Sequence, residues 1–154
     1  NNTKSIVAAE AYALHRQRLE SDAVTRYDPY IAHRLAGGRD ISASDYIDML
    51  ATRTQIWADV QAVTRHFDAL ILPTSPALPP SLATLDSIDA KTAANTRCLR
   101  NTSLSNYLDR PTITLPCHAP GTAPVGVSLI GSRQHDRRLL AIAAGVEMAL
   151  ATAD

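Results

Sequence analysis

Apolar and polar positions repeat with two different periods along this chain, and the changes of period mark its elements. From Thr3 or Ser5, either of which can cap a helix, to about Ser21, a narrow apolar stripe runs through Ile6, Ala9, Ala13 and Leu14. Glu10, His15, Arg16 and Arg18 fall outside it. A turn around Asp22 and Tyr27-Asp28-Pro29 leads into a short helix, with Pro29 suited to its first turn and Gly37-Gly38 ending it. Ser42 to Asp45 has the spacing of a capping box. Beyond it Ile47, Leu50, Trp57, Val60, Val63 and Phe67 recur at three- and four-residue steps, with one gap. That spacing predicts a long helix to about His66 with one buried face.

The period then shortens. Ala69 to Leu72 is a continuous apolar run between Asp68 and Pro73, the mark of a buried strand. Pro73 to Ile88, rich in Pro and Ser, predicts a long surface loop of a kind that tends to be functional or mobile. Thr92 to Leu108 reads as a weakly patterned helix. Thr112 to Leu115 and Val125 to Ile130 are short apolar runs around a segment dense in Pro and Gly, and they predict an antiparallel hairpin. In the second run Val125, Val127 and Leu129 alternate with Gly126 and Ser128, so one face can enter a core while the other admits a close neighbour. The last helix, from about His135 to Ala151, is expected to bury Leu139, Leu140, Ala143, Val146 and Leu150. Asp136 suits its N-terminus; Arg137 and Arg138 do not. The fold class is α/β, with mixed strands packed between helices.

Composition narrows the function more than the fold. A chain of 154 residues fits one domain and can bury about 70% of its unfolded surface. With 45% hydrophobic and 19% charged residues it is neither disordered nor collagen-like. Its formal net charge is zero and its arginines are dispersed, which argues against a nucleic-acid surface or an anionic membrane as partner. No run is long and apolar enough for a membrane span, and no leader is evident. Cys98 and Cys117 make neither a disulfide framework nor a metal cluster, so two reduced thiols in a cytoplasmic protein are expected. The five histidines lack the close spacing of paired metal ligands. Cys117 and His118 are adjacent on a strand end and point to opposite sides, which sets them against a thiol nucleophile and its base.

The run Asn106 to Cys117, followed by Pro124 to Gly131, resembles the C-terminal part of amidase signature enzymes. Phe67 to Pro76 is similar to their strand ending in a Pro-Thr-x-Pro loop, and Asp136 to Leu140 with Glu147 continues the likeness. The resemblance covers nearly all of residues 1–154 and implies the C-terminal part of the amidase signature fold. It also implies hydrolysis of a carboxylic amide to an acid and ammonia or an amine, without a cofactor. In that family a nucleophilic serine, a second serine on a cis peptide and a lysine form the triad, and a Gly-rich loop supplies oxyanion donors. This chain departs from that pattern: its lysines are Lys4 and Lys91, and it holds no Gly-Ser-Ser run. No catalytic residue is therefore assigned within it, and the chain alone is expected to be inactive.

Four residues are candidates for holding substrate. Ile31 to Gly38 resembles a family stretch in which an arginine four residues before a glycine helps to hold the substrate, which here is Arg34. A planar guanidinium suits a carboxylate or carbonyl in a pocket. Thr74, Ser75 and Pro76 follow a predicted strand, where open α/β sheets place ligands. The amidotransferase members place an acid for the substrate's ammonium where this chain has Arg97-Cys98-Leu99-Arg100-Asn101, which favours a small-amide hydrolase. The expected partners are a small-molecule amide in the full-length parent, and the triad-bearing N-terminal part or another copy of this chain. Two other readings stay open: a non-catalytic subunit or scaffold that pairs with a separate triad-bearing chain, and an orphan piece without autonomous function.

Overall fold

The computed structural model describes residues 2–152, with side chains from Ile6 onward. Caps assigned to Thr3 or Ser5 fall outside the described side chains. In chain order the elements are α1 (Asn2–Leu19), α2 (Pro29–Ala36), α3 (Ala43–Thr64), β1 (Leu70–Pro73), α4 (Ile88–Cys98), α5 (Thr102–Tyr107), β2 (Thr112–Pro116), β3 (Gly126–Ile130) and α6 (Asp136–Ala151). Single 3-10 turns cover Asp22–Arg26 and Leu82–Thr84. The chain forms two compact units, Asn1–Gln55 and Ile56–Asp154, with α3 running from the first into the second.

In the first unit the sequence cues act where they stand. Asp28 caps α2 by accepting from the backbone N–H groups of Tyr30 at 2.9 Å and Ile31 at 3.2 Å, with Pro29 in the first turn. The capping box before α3 is reciprocal: Asp45 N–H donates to Ser42 Oγ at 3.1 Å, and Ser42 N–H to Asp45 Oδ2 at 3.3 Å. Gly38 is buried so close to α1 that a Cβ would lie 2.0 Å from the Ala8 carbonyl oxygen. Any side chain there would drive the two segments apart. Ile6 is buried and Ala9 half-buried, but Ala13 and Leu14, expected in the same stripe, are exposed.

The long helix corrects a larger expectation. Leu50, Trp57 and Val60 are half-buried, whereas Ile47, Val63 and Phe67 are 63%, 70% and 63% exposed. Periodicity tells which side of a helix is apolar; it does not supply the element that covers it.

The second unit is built on a three-stranded sheet of order β1-β3-β2, both ladders antiparallel. Partners directly across such ladders share a face. Ile113, Leu115, Val127 and Leu129 therefore lie together, and α6 packs on them through Leu139 and Ala143, flanked by Ile142, Val146 and Leu150. Leu140, expected in this core, is 58% exposed, because one residue along a helix turns the side chain by about 100°. Ala69 to Leu72 was expected to be a buried strand, but β1 is an edge strand and its Ile71 is 67% exposed. The helix expected over Thr92 to Leu108 is two helices, α4 and α5. The first starts early because Ser87 Oγ caps it, accepting from Ala90 N–H at 3.1 Å.

The connection between α5 and β2 is fixed from α3. Arg110 is buried, and its Nη2 donates to Gln61 Oε1 at 3.0 Å and to Thr64 Oγ1 at 2.7 Å. Burial pushes its guanidinium below the usual arginine pKa.

Candidate functional site

The opposite face of the sheet carries hydroxyls where the α6 face carries leucines. The register aligns Leu72, Ser128 and Thr114 in one row across the three strands. Thr74, just past β1, continues the pairing through its backbone N–H, which donates to the Gly126 carbonyl at 2.8 Å. Its side chain thereby reaches the same row. Thr74 Oγ1 donates to Thr114 Oγ1 at 3.3 Å, and the buried Ser128 lies 2.7 Å from the first and 3.0 Å from the second.

This approach depends on Gly126. A Cβ at that position would meet Thr114 Cγ2 at 2.8 Å and Thr74 Oγ1 at 3.1 Å. The alternation of Val and Leu with Gly and Ser in β3 is thus a core face backed by a face kept small for the threonines.

The loop after β1 is tied down as well. Asn101 Nδ2 donates to the Pro73 carbonyl at 2.7 Å, and Ser75 Oγ donates to the Ala77 carbonyl at 2.9 Å. Between this loop, α4, Thr102 and the β2–β3 connection opens a cleft of about 790 Å³. Thr74, Ser75 and Pro76 line it, together with Leu78, Leu99 and Val125. Its walls carry no Asp, Glu, Lys or Arg; Cys98 and His118 are the titratable groups on them.

Cys117 and His118 both turn to the Val125 carbonyl, which accepts from Cys117 N–H at 3.0 Å and from His118 Nδ1 at 3.1 Å. That ties the two ends of the β2–β3 connection together and leaves neither side chain aimed at the other. Among the described residues no cluster of His, Cys, Asp and Glu is arranged to hold a metal ion. No described helix is long and apolar enough to cross a membrane.

Arg34 belongs to the other unit. It is exposed on the last turn of α2, with its guanidinium carbon 5.7 Å from the centre of the Tyr30 ring. The three loop candidates thus share one cleft, and Arg34 stands in a different unit. Thr114 and Gly126 line the cleft with the loop candidates, and Ser128 lies buried beside Thr74 and Thr114. The sequence marked Gly126 and Ser128 only as the small face of a strand, and Thr114 not at all. Their signal is a hydroxyl or a missing side chain at alternate positions of otherwise apolar strands, which reads equally well as packing.

Residues 3–140 match the family model described as Amidase. Over 142 residues the chain is 30% identical to 2-amino-5-chloromuconic acid deaminase of Comamonas testosteroni, covering 92% of this chain and 31% of that protein. Over 105 residues it is 30% identical to the A subunit of glutamyl-tRNA(Gln) amidotransferase from Sulfurisphaera tokodaii, covering 68% of this chain and 22% of the relative. Among solved structures, an amidase superposes with a TM-score of 0.79 at 24% identity, over 95% of this chain and 34% of that one. The Kluyveromyces lactis urea amidolyase superposes with a TM-score of 0.78 at 25% identity, over 88% of this chain and 8% of that one. The chain therefore spans less than a third of the length of these two curated relatives.

Proposed function

The chain belongs to the amidase family, and on that footing we propose that it forms the C-terminal, substrate-holding wall of an amide-hydrolysing site. The Ser–cis-Ser–Lys triad of that site is carried by an N-terminal portion, in the same polypeptide or in a separate chain. The reaction is hydrolysis of a carboxylic amide to the acid and ammonia or an amine. The triad serine forms an acyl-enzyme as the amine leaves with a proton, and water then releases the acid.

The observation that carries this reading is the cleft behind β1. It is large enough for a small organic amide, its walls are fixed by the Asn101, Thr74 and Ser75 hydrogen bonds, and it holds neither a lysine nor a nucleophile–base pair. Thr74, Ser75 and Pro76 are binding residues in this scheme, and the Ser75 hydroxyl donates to the Ala77 carbonyl rather than to a base. Arg34 is proposed separately, as a substrate-holding residue of the first unit; its exposed guanidinium has the five-donor fork that a carboxylate or carbonyl accepts. A relative is named for an acid substrate, which is consistent with that role. The absence of an acid between Arg97 and Asn101 favours a small amide over the ammonium-bearing substrate of an amidotransferase. The free thiols of Cys98 and Cys117 fit a cytoplasmic setting.

The test is to read the coding sequence upstream of Asn1 and in neighbouring reading frames for a lysine, a Gly-Ser-Ser loop and a second serine. The assembled protein is then assayed for ammonia release from small carboxamides. Turnover by the assembly and none by this chain alone is expected. Ammonia release by this chain alone, surviving repeated purification, overturns the proposal.

A further inference from the structure

The other end of β1 opens on a second cavity, of about 240 Å³. Asp68, on its wall, precedes the strand, and Thr74, on the wall of the cleft, follows it. The four residues of β1, about 13 Å of extended chain, lie between the two sites. Phe67, Gly131 and Leu139 are the apolar lining of this cavity, and every other residue on it is polar or charged.

Positive charge is in excess there. Arg138 Nη2 donates to Asp68 Oδ1, which leaves that pair neutral, and Asp68 is the one carboxylate on the wall. Arg65 forms no ion pair among the described residues; its Nε donates to His66 Nε2 at 3.0 Å. Arg138 also stands in the first turn of α6, a position the sequence made costly for a cation.

The hydrogen bonds already made decide which groups are left to a ligand. Gln61 Oε1 accepts from Arg110, so the Gln61 amide offers its NH2. His66 accepts on Nε2, so its neutral ring carries the proton on Nδ1. Arg65 keeps both Nη groups, and the half-buried Ser132 hydroxyl makes no hydrogen bond among the described residues. Two acceptors stand among these donors. His135 gives its Nδ1 proton to the Arg133 carbonyl at 2.8 Å, which makes Nε2 of the neutral ring an acceptor. Asp68 keeps its second carboxylate oxygen.

We propose that this cavity is a binding site for hydrogen phosphate, separate from the cleft and independent of how the cleft is read. A phosphate at neutral pH has oxygens to accept from Arg65, Gln61 and Ser132, and at least one O–H to donate to His135 Nε2 or Asp68. The arginine charge and the protonated oxygen are both needed, because the wall combines a net cation with a carboxylate. Sulfate has the same shape but no proton at this pH, so one of its oxygens meets Asp68 or His135 Nε2 with nothing to donate. The dianion of a phosphate ester is at the same disadvantage.

The experiment is an NMR titration of the ¹⁵N-labelled chain at pH 7 with sodium phosphate, sodium sulfate and phenyl phosphate, ionic strength being held constant with sodium chloride. Phosphate is expected to shift the amide signals of Gly131, Ser132 and Arg65 saturably and to leave Thr74 and Gly126 in place. It should bind about fivefold more tightly than sulfate or phenyl phosphate, the worth of one hydrogen bond. Arg65→Gln should weaken phosphate about tenfold. Arg137→Gln removes the same charge from an exposed residue off the wall and should change affinity by less than about twofold. Asp68→Asn removes the repelling charge and should raise sulfate affinity more than phosphate affinity. Both arginines are exposed, so the variants keep the fold, and the unmoved signals of the rest of the spectrum check it. Equal losses in Arg65→Gln and Arg137→Gln would reduce the effect to diffuse charge and overturn the proposal. Unsaturable shifts, or sulfate or phenyl phosphate binding as tightly as phosphate, overturn it too.

Discussion

Asp109 holds a left-handed backbone, φ 53°, and its carboxylate accepts from Arg133 Nε at 2.6 Å. The Arg133 guanidinium also lies over the Trp57 ring, 4.6 Å from its centre. A left-handed conformation costs a residue with a Cβ about 1–2 kcal/mol, least for Asp and Asn. The ion pair is half-exposed and contributes about 0–1 kcal/mol. Asp109→Gly removes the strain and the ion pair together, so urea denaturation should place it within about 0.5 kcal/mol of the parent chain. Asp109→Val keeps the strained backbone without the pairing and should cost about 2 kcal/mol. Equal stabilities for the two variants would mean that the backbone at 109 relaxes freely.

Three glycines should respond to alanine in three different ways. At Gly145 in α6 a Cβ meets nothing within 4 Å, so Gly145→Ala should stabilise by about 0.5–1 kcal/mol through helix propensity. Gly126→Ala presses on Thr114 and Thr74 and should cost about 1–3 kcal/mol. Gly38→Ala meets backbone at 2.0 Å and should cost the most of the three. Thermal melts of the three variants give the order directly; a different order means that the close approaches at Gly38 and Gly126 are absent in solution.

The same residues show how far a sequence can be read. The Asp28 and Ser42 caps, the hairpin of β2 and β3 and the alternation around Gly126 are local patterns, and local patterns fix local geometry. Burial is not local. Leu140 and Ile71 fit apolar patterns and stand exposed, because one face of a helix or an edge strand needs a neighbour that no pattern within the element supplies. The site divides in the same way. Thr74 to Pro76 were legible from the strand-to-loop transition, whereas Thr114 and Ser128 join Thr74 through strand register, a contact spanning 40 and 54 positions.

Among the described residues sixteen large apolar side chains are exposed and seven hydrophobic residues are buried. Leu14, Val63, Phe67 and Ile71 are each more than 60% exposed. The isolated chain is therefore expected to bind a hydrophobic dye and to self-associate, as uncovered apolar surface and an open edge strand do. A dye-negative monomer with a sharp cooperative melt would show the chain to be an independent module. Within the core the contrast between neighbours is diagnostic: Leu139→Ala should cost about 2–5 kcal/mol and Leu140→Gln less than about 0.5.

Arg34 calls for kinetics and stability to be measured together, in the assembled enzyme. Its guanidinium is exposed and rests on Tyr30, a stacking contact of about 0.5–1 kcal/mol at an exposed site, so neither Arg34→Lys nor Arg34→Ala should move the melting temperature by more than a few degrees. As the guanidinium grips the polar end of the substrate in the proposed scheme, each variant loses a charge-assisted hydrogen bond of about 1.5–3 kcal/mol, which lowers kcat/KM by roughly ten- to over a hundredfold. Lysine should rescue little of this, because a point charge does not reproduce a bidentate fork. A structural Arg34 gives the opposite pair of results: a lower melting temperature with kcat/KM retained by the folded enzyme. That outcome would remove Arg34 from the substrate site and leave the Thr74 cleft as the contribution of this chain to binding.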